Sequence, residues 1–481
     1  MTAARTGRHP LRATWVLMIG FFLVVVDSTI VPVANPVIRQ DFDTDHNSVV
    51  WVTSAYLLAF ATCLLIGGRL GDRFGPRNVY LVGLAVFTAS SVWCGLSMSI
   101  DTLIAARIVQ GIGAALLAPQ TFSIITRMFP AERRGVAMSL WGATAGAGML
   151  IGPLAGGALV DGLGRQWIFL INIPIGVAGL ALAVRLIPDI PGRRHRLDLF
   201  GALLSGAGIG LIVFGLQEGQ HHDWAPWSWG AMAGGLALIA AFVFWQAVTP
   251  HEPLIPLPLF GHRNFVLANA GIALVSFAFV AFITPLMFYL QEARGLSPTS
   301  AALLTAPLAL ATAALAPLVG RIIDRVHPRP VVAVGFTMLA TGLLWLALET
   351  TPTASVWRLT LPLALIGVAG AFTWEPLAVI ASRTLPPDLA GAGSAVYNTA
   401  RQVGAVLSSA GIAALMTRLL SSETATLPAD SVAQAMSQSL FLPAVAAILG
   451  AMTALFFTAP PHSGYRTTSE HRPPRNVSVA P

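Results

Sequence analysis

GGRLGDRFGPRN (Gly67–Asn78) decides how this chain is read. It sets Arg69, Asp72, Arg73 and Arg77 between two long apolar runs, and a near copy, GRIIDRVHPR, occupies Gly320–Arg329. Gly68, Asp72, Arg73 and Arg77 match Gly320, Asp324, Arg325 and Arg329 at an offset of 252. Farther on, FPAERRG (Phe129–Gly135) matches LPPDLAG (Leu385–Gly391) at 256, and Pro119 meets Pro376 at 257. Similar offsets in the same order mark one duplicated unit. The charged knots are then equivalent loops between the second and third apolar runs of each copy.

Composition names the solvent. The chain has 481 residues, 55% of them hydrophobic and only 10% charged, with a mean hydropathy of +0.72. Soluble domains are about a quarter charged, so this is a polytopic membrane protein. Its net charge of +7 is no nucleic-acid signal, because the basic residues, all Arg, fall mostly in short loops. Cys63 and Cys94 lie inside apolar runs, where they make neither a disulfide framework nor a metal site. Arg5, Arg8 and Arg12 lead into a first run of about 23 mostly apolar residues, read as an uncleaved spanning helix.

Fourteen spans are expected: six in 13–187, a central pair in 198–248 and six in 263–459. The architecture is all-α, with two six-helix bundles plus the pair. Residues 1–12 precede the first span, and the polar, Pro-rich 460–481 reads as a disordered tail. Alternate loops hold 21 and 5 arginines. The Arg-rich side is expected to be cytoplasmic, with both termini inside. Parallel repeats around a central site suit alternating access.

The ionisable residues well inside the spans are Asp27, Arg107 and Glu375. Charge is costly in lipid, so each is a functional candidate. Arg107 and Gln110, three apart, share a helix face. Asp27 shares its face with Gly20, Val24, Ile30 and Val31, which suits a helix lining a cavity. Glu375 lies between Trp374 and Pro376, at the place Ala118 holds in the first copy, so one half carries an added acid. A buried carboxylate can load and release a proton near neutral pH. The alternative is a carboxylate neutralised by Arg107 or bonded to a kinked backbone.

Two further sets concern movement. Asp72, which can pair with an Arg or cap a helix N-terminus, is expected to latch onto the helix start near Asn398–Arg401, and Asp324 onto the loop at Arg133–Arg134, with Gly68, Arg73, Arg77, Arg325 and Arg401 in the same latch set. Such contacts would join the halves in one state and break in the other; the alternative is solvated charge that only sets orientation. The fifth span carries Gly142, Gly146, Gly148, Gly152, Pro153, Gly156 and Gly157. Small residues every fourth position let another helix approach closely, either as plain packing or as a face that rocks. His221, His222 and Asp223 read as a polar external loop rather than a metal site. There is no hydrolase or kinase constellation and no phosphate loop, so no cofactor is expected and energy must come from an ion gradient.

These motifs resemble the major facilitator superfamily over nearly the whole chain. Gly68, Asp72, Arg73, Gly75 and Arg77 match its loop motif, and Arg107, Gln110, Gly111 and Gly113 its fourth-helix motif. GMLIGPLAGG (Gly148–Gly157) resembles the fifth-helix motif of exporters. VDSTIVPVANP (Val26–Pro36), RQWIFLINIPIG (Arg165–Gly176) and YNTARQVG (Tyr397–Gly404) resemble fourteen-span drug/proton antiporters. The resemblance implies the major facilitator fold and proton-coupled export of amphipathic or cationic small molecules across the cytoplasmic membrane. It implies protons and lipids as partners, no nucleic acid and no enzyme activity. Asn172 and Trp374 are expected at the substrate cavity. The alternatives are an exporter dedicated to one metabolite or antibiotic, and a non-transporting receptor or scaffold.

Overall fold

In the computed structural model, 14 helices are long and apolar enough to cross a membrane. The structure describes residues 10–128, 134–191, 198–249, 253–255, 257–323, 326–353, 355–383, 390–420 and 429–458. The spans are α1 (Leu11–Asp41), α2 (His46–Phe74), α3 (Pro76–Gly95), α4 (Ile100–Ile125), α5 (Thr144–Leu163), α6 (Trp167–Leu186) and α7 (Leu199–Gly219). There follow α8 (Pro226–Val248), α9 (Arg263–Ala293), α10 (Pro298–Gly320), α11 (Pro328–Glu349), α12 (Val356–Ala381), α13 (Val396–Leu420) and α14 (Asp430–Ala454).

The helices pack as two copies of one plan. In the first half, α2 and α3 lie on α4, α1 on α5, and α6 on α1 and α3; in the second, α10 and α11 lie on α12, α9 on α13, and α14 on α9 and α11. The halves meet at α1–α9 and along two seams, α2–α13 and α5–α10. Glycines at equivalent positions make equivalent approaches. A Cβ on Gly111 would meet the carbonyl of Tyr56, and one on Gly367 that of Leu308; Gly83 faces Leu116, and Gly335 faces Phe372. Small residues at these crossings let backbones pack closely where lipid offers no hydrophobic drive. The crossings fix the offset at 256 between α4 and α12, so Pro119, not Ala118, stands opposite Glu375.

The opening stretch is not a loop. Helix α2 continues through Phe74, carrying Arg69, Asp72 and Arg73 on its last two turns. Gly75, at φ 89°, makes the break, and Pro76 opens α3, where its missing N–H costs nothing. The helix outlasts the apolar run because α4 supports it: Gln120 donates to the Gly67 carbonyl at 2.7 Å and packs against Gly71. The last span likewise starts earlier than its apolar run. A polar segment, Ala429–Ser439, precedes the apolar Phe441–Ala454.

Helix α7 lies against both α2 and α13, and α8 packs on α7. The pair's polar ties reach α2 at both ends. Glu218 accepts from Asn47 at 3.1 Å and from Trp51 at 2.5 Å, and Arg69 donates to the carbonyl of Pro253, just past α8.

Candidate functional site

The apolar interior of the first half encloses a polar knot. From α4, Arg107 reaches Asp27 on α1 at 2.6 Å and Gln110 at 2.6 Å. Gln110 donates to the other Asp27 oxygen at 3.0 Å and to Ser91 of α3 at 2.9 Å. Asn172 of α6 donates to the same two partners at 3.4 Å each. Arg107 also donates to the Val52 carbonyl at 3.1 Å, and its guanidinium lies 4.1 Å above the Tyr56 ring. Both carboxylate oxygens and every element but α5 are thus engaged. A buried pair survives only with such a satisfied set of bonds.

Two expectations change here. Asp27 does not line an open cavity: it is 0% exposed, as is Gln110, and Arg107 is 1% exposed. Its neutralisation by Arg107, the alternative reading, describes this conformation. Asn172 is 1% exposed and belongs to the knot, since its amide is turned toward Asp27 and Ser91 instead of open space. Ser91 and Tyr56 escaped the sequence reading because a lone hydroxyl in an apolar run looks like ordinary helix filler; only the pair Ser90–Ser91 hinted at more.

Among the described residues, the second half has no such knot. At the offset fixed by the glycine crossings, Arg107 and Gln110 correspond to Leu363 and Ile366, both 0% exposed. Gly148 packs on Val25 as Gly404 packs on Ala273, which sets Val275, also 0% exposed, opposite Asp27. This half carries accessible charge instead. Glu375 is exposed on α12, and Arg401 is partly exposed on α13. Tyr397, one turn before Arg401, lies within electrostatic reach of both. Trp374 meets Phe279 of α9 edge-on at 5.6 Å.

The latch expected at Asp72 has other geometry. Asp72 pairs with Arg127 of its own half at 2.6 Å. Arg401 is no surface partner for it. Its helix begins at Ala390, about three turns before the residue, and it lies beside Tyr56 deep in the span. Arg401 belongs with the intramembrane charges, because the helix begins well before its apolar run. Arg73 lies over the Phe74 ring at 5.3 Å, Arg77 donates to the Val184 carbonyl at 2.6 Å, and Gly68 lies near Pro119. Asp324, Arg325 and Arg133 fall outside the described residues.

Polar links between the halves cluster at the opposite face, where α1 and α9 end. Arg39 pairs with Glu292 at 2.8 Å, Gln291 donates to the Val33 carbonyl at 2.8 Å, and Asp161 accepts from the Thr299 amide at 2.9 Å. Ser54 and Ser409 join α2 to α13 at 2.7 Å. The glycine ladder divides between two jobs. Gly148, Gly152 and Gly156 seat α5 on Val25, Thr29 and Ile30 of α1, within one half, whereas Gly157 packs on the backbone of Thr299 in the other. Pro153 lies inside α5. Most of the ladder is therefore a fixed joint, and Gly157 alone of these four meets the partner half.

Known proteins match the chain in sequence and in fold. The family model for the Major Facilitator Superfamily matches residues 17–409. An uncharacterized MFS-type transporter of Mycobacterium tuberculosis is 52% identical over 93% of this chain and 81% of its own. A cephamycin export protein of Amycolatopsis lactamdurans is 35% identical over 95% of this chain and 97% of its own. Among solved structures, a D-xylose-proton symporter superposes with a TM-score of 0.65 at 16% identity, covering 93% of this chain and 98% of the other.

Proposed function

The chain belongs to the Major Facilitator Superfamily, and from that premise we propose that it is a proton-coupled exporter of amphipathic small molecules. The observation that carries the reading is the Arg107–Asp27 pair, sealed inside one half and replaced by apolar residues in the other. Protonating Asp27 removes the charge that holds Arg107, so the α1–α4 contact differs between the two protonation states. A proton can bias the bundles only through such a difference. Gln110 and Asn172 orient the carboxylate, and Arg107 is the cation it holds. The Arg-rich face is the cytoplasmic one, with both termini inside; the links at Arg39–Glu292 and Asp161–Thr299 then close the external side. Glu375 and Trp374 supply an acid and an aromatic face for cationic substrates. Related proteins named for antibiotic export and multidrug resistance support the export direction.

Vesicles containing the purified protein, with a fluorescent pH reporter inside, test this. Adding a transported cation should move protons in the opposite direction, and Asp27→Asn should abolish that movement while folded protein remains. Unchanged proton movement in the mutant would overturn the role of Asp27. A second reading, an exporter dedicated to one antibiotic or metabolite, is favoured by the end-to-end match to a cephamycin export protein. A susceptibility screen of a pump-deficient host separates them: resistance to many unrelated compounds supports the first, resistance to one supports the second.

A further inference from the structure

Arg401 is a guanidinium deep in α13 without a carboxylate. Among the described residues it has no ion pair and no hydrogen bond, and its Nε is buried without a partner, as is the hydroxyl of Tyr397. The two residues are four apart and share a helix face. Two turns farther along α13, Ser408 donates to the Phe277 carbonyl of α9 at 2.7 Å, and Ser409 bonds Ser54 of α2 at 2.7 Å. The Arg401 face therefore looks between α9 and α2, which belong to different halves, and Tyr56 of α2 is within electrostatic reach. At the equivalent place on α5 the chain has Ala145, so the repeat itself does not demand this charge.

An arginine in lipid is retained where something pairs with it. Asp27, the acid already buried nearby, is held by Arg107, and Glu375 is exposed on another helix. We propose that Arg401 and the Tyr397 hydroxyl form an anion-recognising end of the substrate site, so that the exported molecules include amphipathic compounds bearing a carboxylate. This rests on the exporter reading above. The planar fork of Arg suits a carboxylate, which accepts two parallel hydrogen bonds, and a phenol adds a third donor. With Glu375 near Tyr397 as well, the site offers opposite charges to the two ends of a dipolar molecule.

The test uses full-length protein in vesicles with an imposed pH gradient. The probes are norfloxacin and fusidate, each beside its methyl ester, and ethidium as a permanent cation. Arg401→Gln should lower transport of the two acids at least about tenfold, leave ethidium within about twofold, and recover partly in Arg401→Lys. Acid transport at the wild-type rate in Arg401→Gln overturns the proposal. So does an equal loss for all probes, or an equal shift of every pH profile, since either would make Arg401 a positioning residue for the proton knot. If Arg401→Gln does not fold, tryptophan fluorescence of the wild-type protein decides: acids binding about tenfold tighter than their esters support the proposal, and equal affinities overturn it. Gradient-driven ethidium export without any acid transport or binding would overturn the anion site and leave the exporter standing. Acid binding without gradient-driven transport of any probe would do the reverse.

Discussion

The two halves share one fold and divide its charge differently. In the first, Asp27, Arg107 and Gln110 are sealed among five helices. In the second, Val275, Leu363 and Ile366 fill the same places with methyl groups, and charge moves to Glu375, exposed on α12, and Arg401, partly exposed on α13. The fold evidently needs neither arrangement, since each half packs without the other's. The difference supports the proposed division between a buried switch in one half and substrate recognition in the other.

The sharpest way to break that comparison is to give the first half the residues of the second. Asp27→Val alone strands a buried guanidinium and should cost about 3–5 kcal/mol. Asp27→Val with Arg107→Leu and Gln110→Ile should recover most of that loss and still show no proton coupling. Thermal unfolding in detergent, paired with vesicle transport, measures both. A triple variant less stable than the single one would mean that the knot is structural. Next in size is Gly157→Leu. Its side chain would strike the Thr299 backbone, so closure at that face should fail and turnover should drop about tenfold or more, with thermal stability changed little. Gly152→Leu strikes Thr29 within the first half and should lose about 1–3 kcal/mol of stability by overpacking. Similar behaviour of the two would erase the distinction between seam and joint.

Smaller effects test the rim and the second half. Glu292→Gln removes the partner of Arg39, a partly exposed pair worth at most about 1 kcal/mol. Cysteine cross-linking across that face should show a population shifted toward opening by up to about fivefold, and less at high salt. Glu375→Gln should slow export of permanent cations and spare neutral compounds; normal rates for both in a stable variant would remove Glu375 from the site.

Much of this architecture was legible in the sequence, because a bilayer imposes long apolar runs and a duplication leaves matching motifs. The packing of Gly83 and Gly335 against equivalent partners follows from the offset visible in GGRLGDRFGPRN and GRIIDRVHPR. Arg107 and Gln110 could be placed on one face by spacing alone. Their bond to Asp27 could not, since it joins residues 80 and 83 positions apart. Arg401 was hidden for a different reason. A helix can begin well before its apolar run, as α2 can outlast its own, and hydropathy reports lipid contact, not the backbone bonds that carry a helix through the interface. The latch failed as first drawn on the same point, because it placed Arg401 at a helix end.

The α7–α8 pair gives the molecule a lopsided perimeter. One seam, α2–α13, has α7 laid along it as a wall, while among the described residues neither helix of the pair packs substantially on α5 or α10. A compound already dissolved in one leaflet therefore meets two unlike doors. Along α2–α13 it must first part α7, which Glu218 bonds to α2 at one end, while Arg69 at the other end of α2 holds the segment just past α8. Along α5–α10 it meets the joint between the halves directly, where Gly157 lies against Thr299. The extra helices thus make the two seams between the halves unlike.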